Sequence, residues 1–308
     1  MNPKVSILLT CYNHMRYLPA AVQSIKEQTY RDFEIIAIDD GSMDETRHWL
    51  ANNSDGIRVY FNKANLGTYG ALNTGLALAK GSYIAVLNDD DVWAPRKLEL
   101  QMKVFAENPN IGLVHTDGQF IDGEGKIVPG APLGFEFPTT TTSGRDILLA
   151  LLHANKIIAS SVVVRRECFD KVGLFNDEYF GSGDWEMWLR IAEHYDIGCV
   201  PEKLTSYRVH GTNASHRYDK IWKDDEKLRT WLARRAELYH MHGVDAKALR
   251  NARAHNLACL GTVKKLNGKD HEARSAYLAA IRLNPFRAKS YYRWCASFLP
   301  YDTFRKTI

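Results

Sequence analysis

Residues 81 to 93 read GSYIAVLNDDDVW: an apolar run from Tyr83 to Leu87, then Asn88, three consecutive carboxylates at Asp89, Asp90 and Asp91, and finally Val92 and the aromatic Trp93. A short, near-continuous apolar segment is the pattern of a strand covered on both faces, as in a parallel sheet. The three acids therefore stand where a strand ends. In open α/β sheets ligands bind outside the carboxyl ends of the strands, so these side chains face a crevice. Their mutual repulsion is unfavourable unless a cation offsets it. A divalent ion shared between carboxylates and a diphosphate does so, and hard oxygen donors suit Mg²⁺ or Mn²⁺. The competing reading makes this an acidic loop whose Asp91 lies at the N-terminal dipole of a helix starting near Pro95.

Toward the N-terminus the same grammar repeats. Val5 to Thr10 (VSILLT) is a buried strand, Cys11 to Asn13 a turn and Leu18 to Glu27 a helix. Phe33 to Ile38 is a second strand ending at Asp39, Asp40, Gly41 and Ser42, and Asp44 is placed to cap a helix through Trp49 and Leu50. Arg58 to Phe61 gives a third strand. Strand and helix alternate, which predicts a parallel sheet with right-handed crossovers and brings the polar strand ends to one edge. Asn65 to Gly75 (NLGTYGALNTG) joins glycines and small residues to a helix start. Such a segment lets a diphosphate approach backbone N–H groups, and close helix packing explains the glycines equally well. Neither GxxxxGK[ST] nor GxGxxG follows the first strand, which argues against a P-loop enzyme and a dinucleotide dehydrogenase.

Beyond the acids, IGLVHTDGQFI at 111–121 leads into a long Gly- and Pro-containing connection from Asp122 to Pro138 and a threonine run at 139–142, a polar segment expected to form a functional flap. Ile157 to Val164 returns to a strand. Gly183 to Arg190 (GDWEMWLR) then opens a helix with Asp184 at its entrance. Asp184 either accepts a proton from an acceptor hydroxyl or caps the helix, and Glu186 is the reserve carboxylate. In YRVHGTNAS at 207–215, Arg208 can neutralise phosphate, and His210 can ligate a metal or meet a phosphate oxygen. The other histidines carry no such context.

VSILLTCYN, DFEIIAIDDGSMDET, NLGTYGALNTGL and GSYIAVLNDDDVW, in this order, resemble the inverting family 2 nucleotide-sugar glycosyltransferases of GT-A fold, over roughly residues 3–215. The resemblance implies a mixed, mostly parallel α/β sheet flanked by helices, with a nucleotide-binding half at 1–110 and an acceptor half at 111–215. It implies that Thr10 and Tyr12 flank the base, that Asp40 hydrogen-bonds it, and that Asp39 orients the IDDGS turn. Asn65 and Gly67 fall in the donor cradle. Asp90 becomes the direct metal ligand, with Asp89 beside it and His210 near. Asn88, where many members have Asp, is left to hydrogen-bond a ribose hydroxyl. Asp184 matches the family's catalytic base. A uridine donor is expected over purine ones, with Mn²⁺ or Mg²⁺ as cofactor. No QxxRW sequence follows, so the expected product is a glycan or lipid-linked acceptor carrying one or a few added sugars, in cell-surface polysaccharide synthesis.

Composition is that of an ordinary folded protein, 45% hydrophobic and 25% charged over 308 residues. The charge is unevenly placed: residues 1–219 hold 21 Lys and Arg against 28 Asp and Glu, and residues 220–308 hold 19 against 8. From 216 onward helical periodicity runs to the end. Leu260, Gly261, Ala273, Tyr277, Ala280 and Pro285 fall at the offsets of a single tetratricopeptide repeat, which must bury its apolar face on neighbours. The basic, aromatic C-terminal segment suits a protein partner or an anionic membrane surface, and no nucleic-acid partner is expected. Five scattered cysteines without a CxxC pair, and an N-terminus that enters a strand directly, suit the cytoplasm, with peripheral contact at the inner face of a membrane. The rival from another class is a catalytically silent nucleotide-sugar-binding or assembly protein. A nucleotidyltransferase is the enzymatic rival, but it typically needs a Gly-rich basic loop where this chain reads TCYNHMRY.

Overall fold

The computed structural model describes residues 3–130, 144–235 and 245–307. The threonine run and the later part of the expected flap lie outside them. The chain packs as two compact units, the first comprising residues up to Gly144, Asn155–Tyr179 and Gly183–Asn213, the second Arg145–Ala154, Phe180–Ser182 and Ala214 onward.

The first unit is built on one mixed sheet. Strands β1 (Val5–Cys11), β2 (Phe33–Asp39), β3 (Ile57–Phe61) and β4 (Tyr83–Asn88) pair in parallel in the order β3-β2-β1-β4. The sheet then continues through β8 (Val163–Arg165), β6 (Ile111–Ile121), β9 (Asp196–Arg208) and the short β5 (Val92–Trp93), while β7 (Ile127–Val128) pairs with β6. β8 runs antiparallel to both its neighbours, whereas β6 and β9 are parallel to each other. The chain leaves β1 on one side through β2 and β3 and returns on the other as β4. That reversal opens a crevice at the ends of β1 and β4, where α/β proteins bind ligands.

Every residue of β1 is buried. Val5, Ile7 and Leu9 join Leu18, Val22 and Ile25 of helix α1 (Leu18–Lys26) in one cluster. Leu8 on the opposite face meets helix α3 (Gly67–Leu78), so the strand is covered twice, as its unbroken apolar run predicts. Each such aliphatic side chain contributes roughly 1.5–3 kcal/mol by leaving water. At Gly75 a Cβ would lie 2.9 Å from Ile38 and 3.1 Å from Leu8. That glycine serves the packing of α3 on the sheet, the second of the two readings its spacing allowed.

Helix α2 (Thr46–Asn52) begins two residues beyond Asp44, with Glu45 at the cap position and Asp44 accepting the Thr46 N–H at 3.0 Å. Helix α4 (Lys97–Glu107) follows β5, α6 (Arg166–Val172) follows β8, and α7 (Gly183–Ala192) precedes β9.

The second unit is helical: α5 (Gly144–Leu151), α8 (Tyr218–Arg234), α9 (Ala246–Leu266), α10 (Asp270–Leu283), α11 (Ala288–Ala296) and α12 (Tyr301–Thr307). Asp224 of α8 fastens the Phe180–Ser182 segment by accepting all three of its backbone N–H groups at 2.6–3.1 Å. Helices α9 and α10 cross on Ala258, Ala273, Tyr277 and Ala280, small residues around one buried aromatic. No helix among the described residues is long and apolar enough to cross a membrane.

Candidate active site

Parallel registry brings the strand ends level: Thr10 sits beside Asn88, and Cys11 beside Asp39. Thr10 Oγ1 donates to Asn88 Oδ1 at 3.0 Å, which ties β1 to β4 at the crevice. Buried Asp39 accepts the Ser42 N–H at 3.3 Å and faces Arg47 at 3.8 Å, holding the turn after β2. Asp40, also buried, uses Oδ1 to accept from Asn62 Nδ2 at 2.8 Å and from the Leu66 N–H at 2.9 Å. Its Oδ2 makes no hydrogen bond among the described residues. Asn65 accepts the Gly67 N–H at 3.1 Å, and Gly67 has φ +76 with open space beside it. Tyr12 presents a ring that is 41% exposed at this edge.

The three acids divide their work. Asp89 accepts the Tyr12 N–H at 2.8 Å and pairs with His14 Nδ1 at 2.8 Å. Asp90 meets His210 Nε2 at 3.1 Å and Asn213 Nδ2 at 3.3 Å. Asp91, fully buried, accepts the Arg208 N–H at 2.9 Å and the Ser160 hydroxyl. Asp91 thus holds β9 to the turn and does not cap α4. Arg208 is buried as well: its Nε donates to the Asp90 carbonyl at 2.8 Å, one Nη to the Asp122 carbonyl at 2.9 Å, and its guanidinium stacks on Tyr17 at 4.8 Å. It clamps the acid turn through backbone oxygens.

Burial raises the proton affinity of Asp89 and Asp91, and the Asp90 charge adds to it in both. Burial works to lower that of His14, but its hydrogen bond to Asp89 and the charges of Asp89, Asp90 and Asp44 prevail and raise it to about 9. The turn therefore gathers negative charge that a proton or a metal ion can answer. His14, Asp90 and His210 offer donor atoms that all lie within 4.8 Å of one another. The His14 and His210 rings meet edge to face at 5.1 Å between centroids.

On α7, Asp184 lies inside the first turn and accepts the Trp185 N–H at 2.6 Å, Asn155 Nδ2 at 3.1 Å and the Tyr69 hydroxyl at 3.4 Å. All three donors are neutral. Burial raises its pKa to about 6 against their opposition. Gly183 makes the approach of Tyr69 possible, because a Cβ there would lie 2.7 Å from the Tyr69 ring. Glu186 differs: both its oxygens take Arg190 at 2.8 Å, and Arg190 also binds the Val172 and Leu174 carbonyls.

The sequence profile described as Glycosyl transferase family 2 matches residues 6–167, more than half of the chain. The chain belongs to glycosyltransferase family 2. An uncharacterized glycosyltransferase of a Nostoc species is 32% identical over 221 residues, covering 68% of this chain and 66% of its own. One from Haemophilus influenzae is 29% identical over 259 residues, covering 81% and 78%. The chain spans only 30% of a Rickettsia bellii relative that is 30% identical over 213 residues. Among solved structures, residues 1–349 of Staphylococcus aureus TarS in complex with UDP-GlcNAc align with a TM-score of 0.68 at 14% identity, over 99% of this chain and 90% of that one. The Pyrobaculum calidifontis mannosyltransferase PcManGT, in complex with GDP-Man and Mn²⁺, aligns at 0.57 and 19% identity, over 100% and 84%. At these identities the likeness is one of fold, and it agrees with the expected GT-A architecture.

The expected residues of this glycosyltransferase thus stand at one strand edge from Thr10 to Asp90, with Arg208 and His210 beside the acid turn and Asp184 on α7. Two features escaped sequence reasoning. His14 was passed over with the other histidines, although it follows β1 by three residues and so sits at the same edge as Asp89. Tyr69 lay within a segment read only for its glycines, and nothing in the sequence links it or Asn155 to Asp184.

Proposed function

We propose that the chain transfers a sugar from a nucleoside-diphosphate donor to a hydroxyl of a glycan or lipid-linked acceptor, with inversion at the anomeric carbon. The observation that carries this reading is the meeting of Asp89 with His14 and of Asp90 with His210 in the turn after β4, on a sheet whose parallel registry sets the ends of β1, β2 and β4 level. Thr10, Tyr12 and the outer oxygen of Asp40 receive the base, with uracil preferred, and Asn65, Gly67 and Asn88 border the ribose and diphosphate. The UDP-GlcNAc complex of TarS and the GDP-Man complex of PcManGT support a nucleotide-sugar donor in general.

A divalent cation fits the acid turn, since two imidazoles and a carboxylate form a mixed nitrogen and oxygen donor set better matched to Mn²⁺ than to Mg²⁺. Asp90, His14 and His210 would hold it. Asp89, bonded to His14 Nδ1, fixes that ring and leaves Nε2 as the ligating atom, the usual arrangement behind a metal-bound histidine. When bound, the ion supplies charge stabilisation to the departing diphosphate. Arg208 keeps the turn in register from beneath.

Asp184 takes the proton of the attacking acceptor hydroxyl. Its proton affinity, raised by burial and only partly offset by neutral donors, suits a base working near neutral pH. Asn155 and Tyr69 aim its carboxylate, and Glu186 is committed to Arg190. Inversion needs one displacement, so no covalent enzyme intermediate forms. We read the crossing of α9 and α10 as a tetratricopeptide-like unit that engages a partner or an anionic surface.

Turnover assays across UDP-, dTDP- and GDP-sugars with Mn²⁺, Mg²⁺ or EDTA test the reading. Hydrolysis or transfer of a UDP-sugar that is lost in EDTA is the expected result. Absence of both donor binding and turnover with every nucleotide sugar would sink it.

A further inference from the structure

The second unit holds a cluster of half-buried polar groups that the sugar-transfer reading does not use. His255 and Cys259 lie one turn apart on α9, Arg287 and Arg293 come from the start and end of α11, and His153 follows α5. Arg287 Nη2 donates to His255 Nδ1 at 2.6 Å. A guanidinium can only donate, so Nδ1 is the acceptor and the neutral ring carries its proton on Nε2. That nitrogen stands 3.5 Å from Cys259 Sγ, and Arg293 Nη1 donates to the same sulfur at 3.6 Å. The His153 ring lies 4.9 Å from the His255 ring.

The arginines are poorly matched by these partners. Neither forms an ion pair among the described residues, and their acceptors are a neutral imidazole and a thiol. Half-buried guanidinium without an acid is unfavourable. Burial first, and then the charge of Arg293, lowers the proton affinity of Arg287. Burial and the charges of Arg287, Arg229 and Arg293 push His255 down to about 4. Of these cations Arg229 has its own acid, Asp225 at 2.9 Å. Two like charges thus flank His255 and Cys259, and among the described residues neither pairs with a carboxylate. The planar fork of arginine matches the oxygens of phosphate in bidentate fashion.

We propose that Arg287 and Arg293, together with His255, form a binding site for a phosphate group carried by a soluble ester or a lipid headgroup. The oxyanion takes the guanidinium donors that now point at weak acceptors. This site is independent of the donor crevice, and its failure leaves the sugar-transfer reading untouched.

The test titrates the full-length protein with inorganic phosphate, following the imidazole nitrogens of His255 by NMR and the heat by calorimetry. Saturable binding with a rise of the His255 titration midpoint is expected. The Arg287→Gln, Arg293→Gln double variant should bind roughly tenfold or more weakly, the size expected for losing hydrogen bonds to a charged group. Lys223→Gln with Arg234→Gln, exposed on α8 of the same unit, should leave binding unchanged. If the double variant misfolds by circular dichroism, Arg293→Lys keeps the charge, removes the fork and should still weaken binding. No saturable response, or one indifferent to both arginines, overturns the site. Sedimentation with phosphatidylglycerol and phosphatidylcholine vesicles distinguishes the sources. Retention on phosphatidylglycerol that needs the two arginines assigns a lipid headgroup, and retention without that dependence, or none, assigns a soluble ester.

Discussion

The acid turn after β4 and the first turn of α7 both bury carboxylates, yet they surround them differently. Asp89 and Asp90 are met by the imidazoles of His14 and His210, groups that can carry charge or bind a metal, whereas Asp91 takes the Arg208 backbone N–H and the Ser160 hydroxyl. Asp184 is met by a backbone N–H, an amide and a phenol, all neutral. Burial raises the proton affinity of Asp89, Asp91 and Asp184 alike, and what differs is the company: clustered acids beside imidazoles in the first case, a single acid among neutral donors in the second. In the proposed function the first region serves a cation and a diphosphate, and the second takes up a proton. Within α7 itself the contrast recurs over two residues, since Glu186 is neutralised by Arg190 and Asp184 is not.

The largest expected effect comes from removing the proton acceptor. Asp184→Asn keeps the shape of the side chain and one of its two acceptor oxygens, and initial transfer rates should fall by about 10²–10⁴, the range for general-base loss, with nucleotide affinity nearly intact. Stability should move the other way. A carboxyl whose folded pKa is raised contributes stability that is full below its unfolded value and is lost as pH rises through about 6. The wild type should therefore lose melting temperature relative to the amide as pH rises from below 4 to 7.5. Near wild-type turnover in this variant would end the assignment.

At the acid turn, Asp90→Ala should abolish most of the metal-dependent binding of UDP seen by calorimetry, and tight binding in EDTA would refute the cation. His14→Gln is the sharper probe of the histidine that sequence reasoning overlooked. A ligand loss or its mispositioning typically costs about 10–100-fold in metal affinity, so Mn²⁺ titration should weaken by that order while Asp89 stays on the Tyr12 N–H. Unchanged Mn²⁺ affinity would leave Asp90 and His210 without it.

Glu186→Ala tests the second half of the α7 contrast. Both partners of that pair are largely buried, and leaving Arg190 unpaired should cost on the order of 3 kcal/mol of stability. Turnover of the remaining folded protein at low temperature should stay close to normal. A base-like pH defect in place of a melting defect would exchange the roles of the two acids.

The strand ends were legible because apolar runs and the acids that terminate them lie next to each other in sequence. GSYIAVLNDDDVW and FEIIAIDD place Asp90 and Asp40 at one edge as soon as parallel pairing is granted. The same logic reaches His14, three residues past β1, yet a loop histidine has no pattern until its partner is known to be level with it. Asp91 was ambiguous because an acid before a helix reads as a cap. Its real partners, Ser160 and Arg208, are 69 and 117 residues away. Asn155 and Tyr69 were invisible for the same reason: only the folded sheet brings them 29 and 115 residues along the chain to Asp184.

The smallest effect is the most specific to those two residues. If Asp184 is the base, kcat/KM should rise with pH to a plateau with a midpoint near 6, because the deprotonated carboxylate is the active form. Asn155 and Tyr69 donate to that carboxylate and so favour its charged form. Removing either donor must raise the midpoint. A neutral hydrogen bond is worth about 1 kcal/mol and a pKa unit about 1.4 kcal/mol, so Tyr69→Phe and Asn155→Ala should each move the midpoint upward by less than about one pH unit. Tyr69→Phe should move it less, since its 3.4 Å contact is the longer of the two. A purely structural role would lower activity evenly across the profile. A downward shift in either variant would mean that the donor stabilises the protonated acid, and the neutral-donor account of this site would fail.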